Sequence, residues 1–178
     1  MNNHSVYFYE DDTFLIDKVV HFVKTGLERR ETVIVVATHQ HRDDLKLKLI
    51  EDEPIGVSTW NTGNYVTLDA AETLALFMRE GWPDEHLFLS AIGKIIQSAA
   101  AGKPVRIYGE MVAVLFAGGN SLAAIQLERL WNKLAEERPF SLLCGYPAAS
   151  FQTSDMDYAY ENVCSCHSVV DPRKKLAV

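Results

Sequence analysis

A chain of 178 residues, 48% hydrophobic and 23% charged, suits one domain with a sizeable core, and its composition is not that of a disordered protein. Its 24 acidic residues outnumber 17 basic ones, for a net charge of −7. Phosphate backbones need a basic face, so direct nucleic-acid binding is disfavoured as a function class.

Residues 6–9 (VYFY) are a short run of β-formers and read as a buried strand. Glu10, Asp11 and Asp12 end it, with Asp12 placed to cap the next element. Leu15, Val19, Phe22, Val23 and Leu27 recur at helical spacing, so a helix follows and stops near residues 26–30. Residues 32–37 (TVIVVA) form a continuous apolar strand of the kind buried on both faces of a parallel sheet. Residues 39–51 set Leu45, Leu47 and Leu49 among charges and read as a surface helix. Residues 54–64 break the pattern, with Gly56 and Gly63 as punctuation. Residues 65–68 are a third strand. Asp69 with Glu72 makes a capping box for a helix expected to run to about residue 80 and to end at Gly81. Residues 84–101 form another helix, with Leu87, Ala91, Ile95 and Ala99 roughly on one face, stopped by residues 102–104 (GKP). Residues 105–108 are a fourth strand. A helical region follows over 111–137, interrupted at 118–120 (GGN). Residues 140–145 are a fifth strand and 155–167 a last helix.

Strands alternate with helices throughout, which implies an α/β fold: a mainly parallel central sheet of about five strands with helices on both faces. One domain is expected over residues 1–170, with a loose tail at 171–178. The odd count of three cysteines, Cys144, Cys164 and Cys166, is not a disulfide framework and fits a reducing compartment. Neither a secretory leader nor an apolar run of roughly 18 residues stands out, so the expected location is the cytoplasm.

Ligands in parallel sheets bind beyond the carboxyl ends of the strands. That rule selects Glu10, Asp11 and Asp12, then Thr38 and His39, then Gly109, Glu110 and Met111, then Tyr146 and Pro147. A phosphate-binding loop would follow strand one, yet three carboxylates stand there, and no GxxxxGK[ST] string occurs anywhere. Ordinary ATPase or GTPase chemistry is therefore disfavoured. The acidic run reads as a solvated turn and helix cap, with a ligand role as the alternative. Arg106, Tyr108 and Glu110 share one face of their strand by period-two geometry. Glu110, supported by Arg106, could bind a polar ligand or act as a base, or the two could form an internal ion pair.

Metal chemistry has little local support. His39 and His41 form an HxH string at a helix start, where histidines are usually just exposed. Cys164, Cys166 and His167 lack a third and fourth ligand at standard spacing, and Cys144 reads as a small core residue. Trp131 reads as core, and Asn132 as a cap or bridge. No nucleophile motif appears, so the expectation is a binding module rather than an enzyme, with no cofactor and no metal.

Several longer strings together are more specific. They are His4 with residues 7–12 (YFYEDD), 22–27 (FVKTGL), 33–41 (VIVVATHQH), 68–74 (LDAAETL), 77–83 (FMREGWP), 105–115 (VRIYGEMVAVL), Gly119 with Asn120, 127–132 (LERLWN) and 140–146 (FSLLCGY). Over about residues 4–168 the chain resembles the MEDS domain, the sensory domain named for methanogens, methylotrophs and the dichloromethane-responsive regulator. It departs from the commoner pattern at Gly145, where alanine is usual, and at Phe116, where tryptophan is common. The resemblance implies a degenerate RecA/KaiC-like three-layer fold without a Walker A loop. It also implies a sensing role toward small molecules, hydrocarbon derivatives among them, with signalling in trans to a histidine kinase or transcription regulator. The expected ligand rim is Glu10, Asp11, His39, Arg106, Glu110 and Tyr146. An enzyme or nucleotide-binding protein using the same cleft, and a ligand-independent interaction module, are the alternatives. A homodimer is compatible with the sequence.

Overall fold

A computed structural model describes residues 3–52 and 63–171. The expected break at residues 54–64 falls mostly outside the described residues, as does the tail beyond Asp171. In chain order the elements are β1 (Asn3–Tyr9), α1 (Asp12–Glu28), β2 (Thr32–Ala37), α2 (His39–Glu51), β3 (Tyr65–Asp69) and α3 (Ala70–Ala75). Next come β4 (Met78–Arg79), β5 (Trp82–Pro83), α4 (Glu85–Ala100), β6 (Val105–Gly109), α5 (Met111–Ala117) and α6 (Ser121–Glu137). The series closes with β7 (Ser141–Pro147), two short 3-10 turns, α7 (Asp157–Ser165) and β8 (Val169–Asp171).

Six strands form one sheet in the order β3-β2-β6-β7-β1-β8, and every pairing in it is parallel. The sixth strand lies where the tail was expected to begin: Val169 to Asp171 pair alongside Ser5, Val6 and Tyr7. β1 therefore lies inside the sheet, with β7 on its other side from Asn3↔Ser141 to Tyr9↔Pro147. Crossovers longer than a hairpin are what parallel neighbours require, and the helices supply them on both faces.

All six residues of β2 are buried because alternate side chains enter two cores. Val33, Val35 and Ala37 join Leu15, Val19 and Val23 of α1 and Leu45 and Leu49 of α2. Ile34 and Val36 join the larger core under α3 to α7, with Phe88, Phe116, Trp131, Tyr146 and Phe151. Phe116 packs there against Tyr146 and Phe151. At Gly26 the backbone of α1 comes so close to the sheet that an added Cβ would lie 2.7 Å from Val33 Cγ2 and 2.9 Å from Arg106 Cδ.

Three local expectations need correction. The cap of α1 is Asp11, whose carboxylate accepts from the amides of Thr13 and Phe14 at 2.9 and 3.2 Å; Asp12 is already helical. The helix opened by Asp69 stops at Ala75 rather than near residue 80. Phe77 is fully buried, and β4 and β5 pair around Glu80 and Gly81, both at positive φ, as a tight hairpin turn demands. The buried stripe of α4 is Phe88, Ile92 and Ile96, one residue on from the expected Leu87, Ala91, Ile95 and Ala99, which are only partly buried.

Candidate functional site

The carboxyl ends of β1, β2 and β6 bring together Asp12, Thr38, His41 and Glu110. Glu110 caps α5 by position only; its carboxylate accepts no hydrogen bond from the amides of that helix. The carboxylate is nearly fully buried, and its oxygens serve α2 instead. Oε2 accepts from the Thr38 amide at 2.8 Å, and Oε1 lies 2.5 Å from His41 Nδ1. The other ring nitrogen, His41 Nε2, lies 3.4 Å from Asp12 Oδ1, on a side chain that is 67% exposed. One imidazole thus spans from a buried carboxylate to a solvated one. A carboxylate faces each nitrogen, so both nitrogens act as donors and the cation is favoured. The hydrogen bond that His41 donates to Glu110, acting against burial and helped by Asp12, lifts the His41 pKa to about 8.

Two tyrosines lie close by. Burial, then Glu110 and Asp12, push the Tyr9 hydroxyl up. The Tyr108 hydroxyl is pushed up by burial, then by Glu110 and Tyr9; it is buried without a hydrogen-bond partner. A groove of about 270 Å³ opens at Asp12 and runs between α1 and α2 past Ile16, Asp17, Asp44, Leu47 and Lys48.

The residues expected to form the rim are dispersed. Glu110 is at the centre of the cluster. Asp11 spends its carboxylate on the cap of α1. Glu10 is exposed beside it. His39 is 80% exposed and pairs with Asp43 at 3.6 Å on its own helix, while the histidine that reaches Glu110 is His41. Arg106 does not support Glu110. Both do lie on the α1–α2 face, but at opposite ends of β6. Arg106 Nε donates to Glu31 at 2.6 Å, and the guanidinium sits 4.6 Å from the Phe22 ring centroid. Tyr146 is not on a rim at all: it is fully buried on the other face of the sheet, and its hydroxyl donates to Glu128 Oε1 at 2.8 Å.

Away from the groove, a second cleft of about 450 Å³ lies between α1 and the β1–β8 edge, lined by Lys18, His21, Phe22, Arg29, Arg106 and Asp171 among others. Arg106 borders this cleft, and none of Asp12, His41 and Glu110 does.

The Tyr146 contact leads to a second polar cluster, inside the larger core. His4 of β1, Glu128 of α6, Cys144 of β7 and His167 after α7 place one ligating atom each within 4.8 Å of one another. Burial pushes the Glu128 carboxyl up, but His167, His4 and the Tyr146 hydroxyl outweigh it and hold it at about 2. Burial lowers the His167 pKa and raises that of the Cys144 thiol. Asn132 is the bridge that the sequence allowed: it links His4 to the Cys166 carbonyl. Local spacing hid this group because its members come from four elements. One signal was present: Glu128 is a charge inside the helical stripe Ala124, Glu128, Trp131, Ala135, all of it buried.

Comparison with known families gives one match. The family model described as MEDS, the MEthanogen/methylotroph, DcmR Sensory domain, matches residues 3–167. No curated protein and no solved structure matches the chain.

Proposed function

We propose a sensing role for this chain, which belongs to the MEDS family of sensory domains. In this reading it is a noncatalytic domain that takes a small molecule at the carboxyl ends of β1, β2 and β6 and signals in trans to a kinase or transcription regulator. The observation that carries it is the His41 bridge. Through one side chain it joins the start of α1, the first turn of α2 and the start of α5. A ligand that competes for either carboxylate releases α2 from the sheet, and a movable helix is an output that a partner can read. The groove beginning at Asp12 would take the apolar body of a small organic compound, with its polar end toward His41. The unpartnered Tyr108 hydroxyl is a further hydrogen-bonding group at this end of the sheet.

The noncatalytic part of the reading rests on His41 as well. A general base needs a free nitrogen facing substrate, and both of its nitrogens face carboxylates. The carboxylates at residues 10–12 and 110 also repel a triphosphate.

Thermal unfolding against a panel of small alcohols, amines, halogenated and carboxylic compounds, nucleotides and metals tests the reading, since a ligand bound only by the folded state raises Tm. A selective shift from an organic compound that disappears in Glu110→Gln and His41→Asn is the expected result. A shift that survives both substitutions moves the site elsewhere. A shift from magnesium and ATP, confirmed by calorimetry, would replace the sensing reading with the nucleotide-binding one.

A further inference from the structure

We infer that His4, Glu128, Cys144 and His167 form a binding site for a divalent transition metal of the zinc class, closed by four protein ligands and separate from the rim around Glu110.

The tautomers carry the argument. Asn132 Nδ2 donates to the Cys166 carbonyl at 2.8 Å, so its Oδ1 is the atom 2.9 Å from His4 Nδ1. An amide oxygen only accepts, so His4 Nδ1 carries the proton. His167 Nδ1 lies 2.6 Å from the Val163 carbonyl, which also only accepts. Both rings therefore spend Nδ1–H on a carbonyl-type oxygen and aim Nε2 into the cluster. This is the outer-shell arrangement that orients metal-bound histidines.

Inside the cluster the inventory is one-sided. His4 Nε2 stands 3.2 Å from Glu128 Oε2 and 3.4 Å from Cys144 Sγ, and Sγ stands 3.4 Å from the same oxygen. His167 Nε2 is fully buried, 3.5 Å from Glu128 Oε1, and has no hydrogen-bond partner among the described residues. Two imidazole lone pairs and a carboxylate converge with one S–H as the only neutral donor besides the Tyr146 hydroxyl. Protonating both rings would set two cations with centroids 4.0 Å apart. A metal ion resolves the conflict by accepting from all four at once.

Distances and charge agree with this. Tetrahedral zinc bonds of about 2.0–2.3 Å put neighbouring ligand atoms roughly 3.3–3.7 Å apart. The three contacts among His4, Glu128 and Cys144 fall at or just below that spacing, and because all four ligating atoms lie within 4.8 Å of one another, no pair needs to close by more than about 1.5 Å. A thiolate and a carboxylate neutralise a divalent ion, which a buried site requires. Two nitrogens and a sulfur disfavour calcium and magnesium. With every position taken by protein, the ion would work as a clamp, tying the segment after α7 to β1, β7 and α6.

Metal analysis of protein purified from zinc-supplemented culture should find one equivalent of zinc per chain. Chelator-stripped protein titrated with Co²⁺ should develop the visible bands of tetrahedral cobalt and a near-ultraviolet thiolate-to-metal band. Cys144→Ala should remove the thiolate band, and Asn132→Ala should weaken binding about 10- to 100-fold. The Cys164→Ser, Cys166→Ser double variant should keep both signals. That double variant assigns the sulfur even if Cys144→Ala does not fold, because Cys144 is then the only thiol left. Substoichiometric zinc together with featureless cobalt spectra overturns the inference. So does a thiolate band that survives Cys144→Ala or is lost with Cys164 and Cys166.

Discussion

The sheet carries a polar cluster on each face, and the two combine carboxylates and imidazoles in opposite proportions, the second adding a thiol. Around His41, two carboxylates share one imidazole, and the outer carboxylate stands in water. Around Glu128, two imidazoles and a thiol share one carboxylate, and all four side chains are buried. The first arrangement supplies its own cation: protonated, His41 donates one N–H toward each carboxylate. The second has more acceptors than protons to share and is complete only with an added positive charge. Proportion and exposure, rather than residue identity, separate a place where a ligand can enter from a place where an ion would be held.

The most damaging way to break the comparison is Glu128→Ala. It leaves the buried Tyr146 hydroxyl and Cys144 thiol without their acceptor, at about 1–3 kcal/mol for each orphaned group. Urea unfolding should show that loss; a cost near zero would mean that the cluster is a solvated afterthought. Glu110→Ala comes next. It orphans the Thr38 amide and one face of His41, for about 1–3 kcal/mol, because Asp12 and water still serve the other nitrogen. In the same variant the His41 titration, followed by NMR, should fall from about 8 toward its ordinary 6.5.

A pH series sharpens the contrast further. The folded-state pKa of His41 lies above its unfolded value, so its stabilisation is fully present below pH 6.5 and is lost as pH rises through about 8. The denaturant midpoint of the wild type should exceed that of His41→Asn at pH 6, and the gap should narrow above pH 8. A gap that is constant across this range would show that His41 does not gain its proton on folding. The smallest effect is expected at the residue that the HxH string offered first. His39→Ala should change neither the midpoint nor the His41 titration, since His39 is largely exposed and its ion pair with Asp43 lies at the surface.

Much of the fold was legible because its signals are local. The continuous apolar run at Thr32–Ala37 and the helix at His39–Glu51 fall where periodicity puts them. The short α3, the hairpin at Glu80 and Gly81, and the edge strand β8 were not legible. Each depends on a contact with something distant: Phe77 with Phe88 in the first two cases, β1 in the third. The placement of the expected rim residues was partly legible. Period-two geometry put Arg106, Tyr108 and Glu110 on one face, but it could not say that Arg106 would be claimed by Glu31 next to Gly26 while Glu110 met His41. The buried cluster was invisible to spacing rules, which look for ligands in pairs along the chain. Here each ligand arrives from a different segment of the chain, and only the stray charge of Glu128 within an apolar stripe announced it.

The place of β1 in the sheet has a consequence for how the protein is made. Its neighbours are β7 and β8, so Val6 and Phe8 emerge from the ribosome with no strand to pair with until Ser141–Pro147 follow. At about 5–20 residues per second that wait is roughly 7–30 s. Throughout it an apolar segment with free edges is open to other nascent chains and to chaperones. Insertion of this strand is a late, long-range event that must be slow compared with the helix-rich segments made in between. The histidine at its start, His4, would then reach the buried cluster only after β7 is made, and His167, made later still, would complete that cluster as folding finishes.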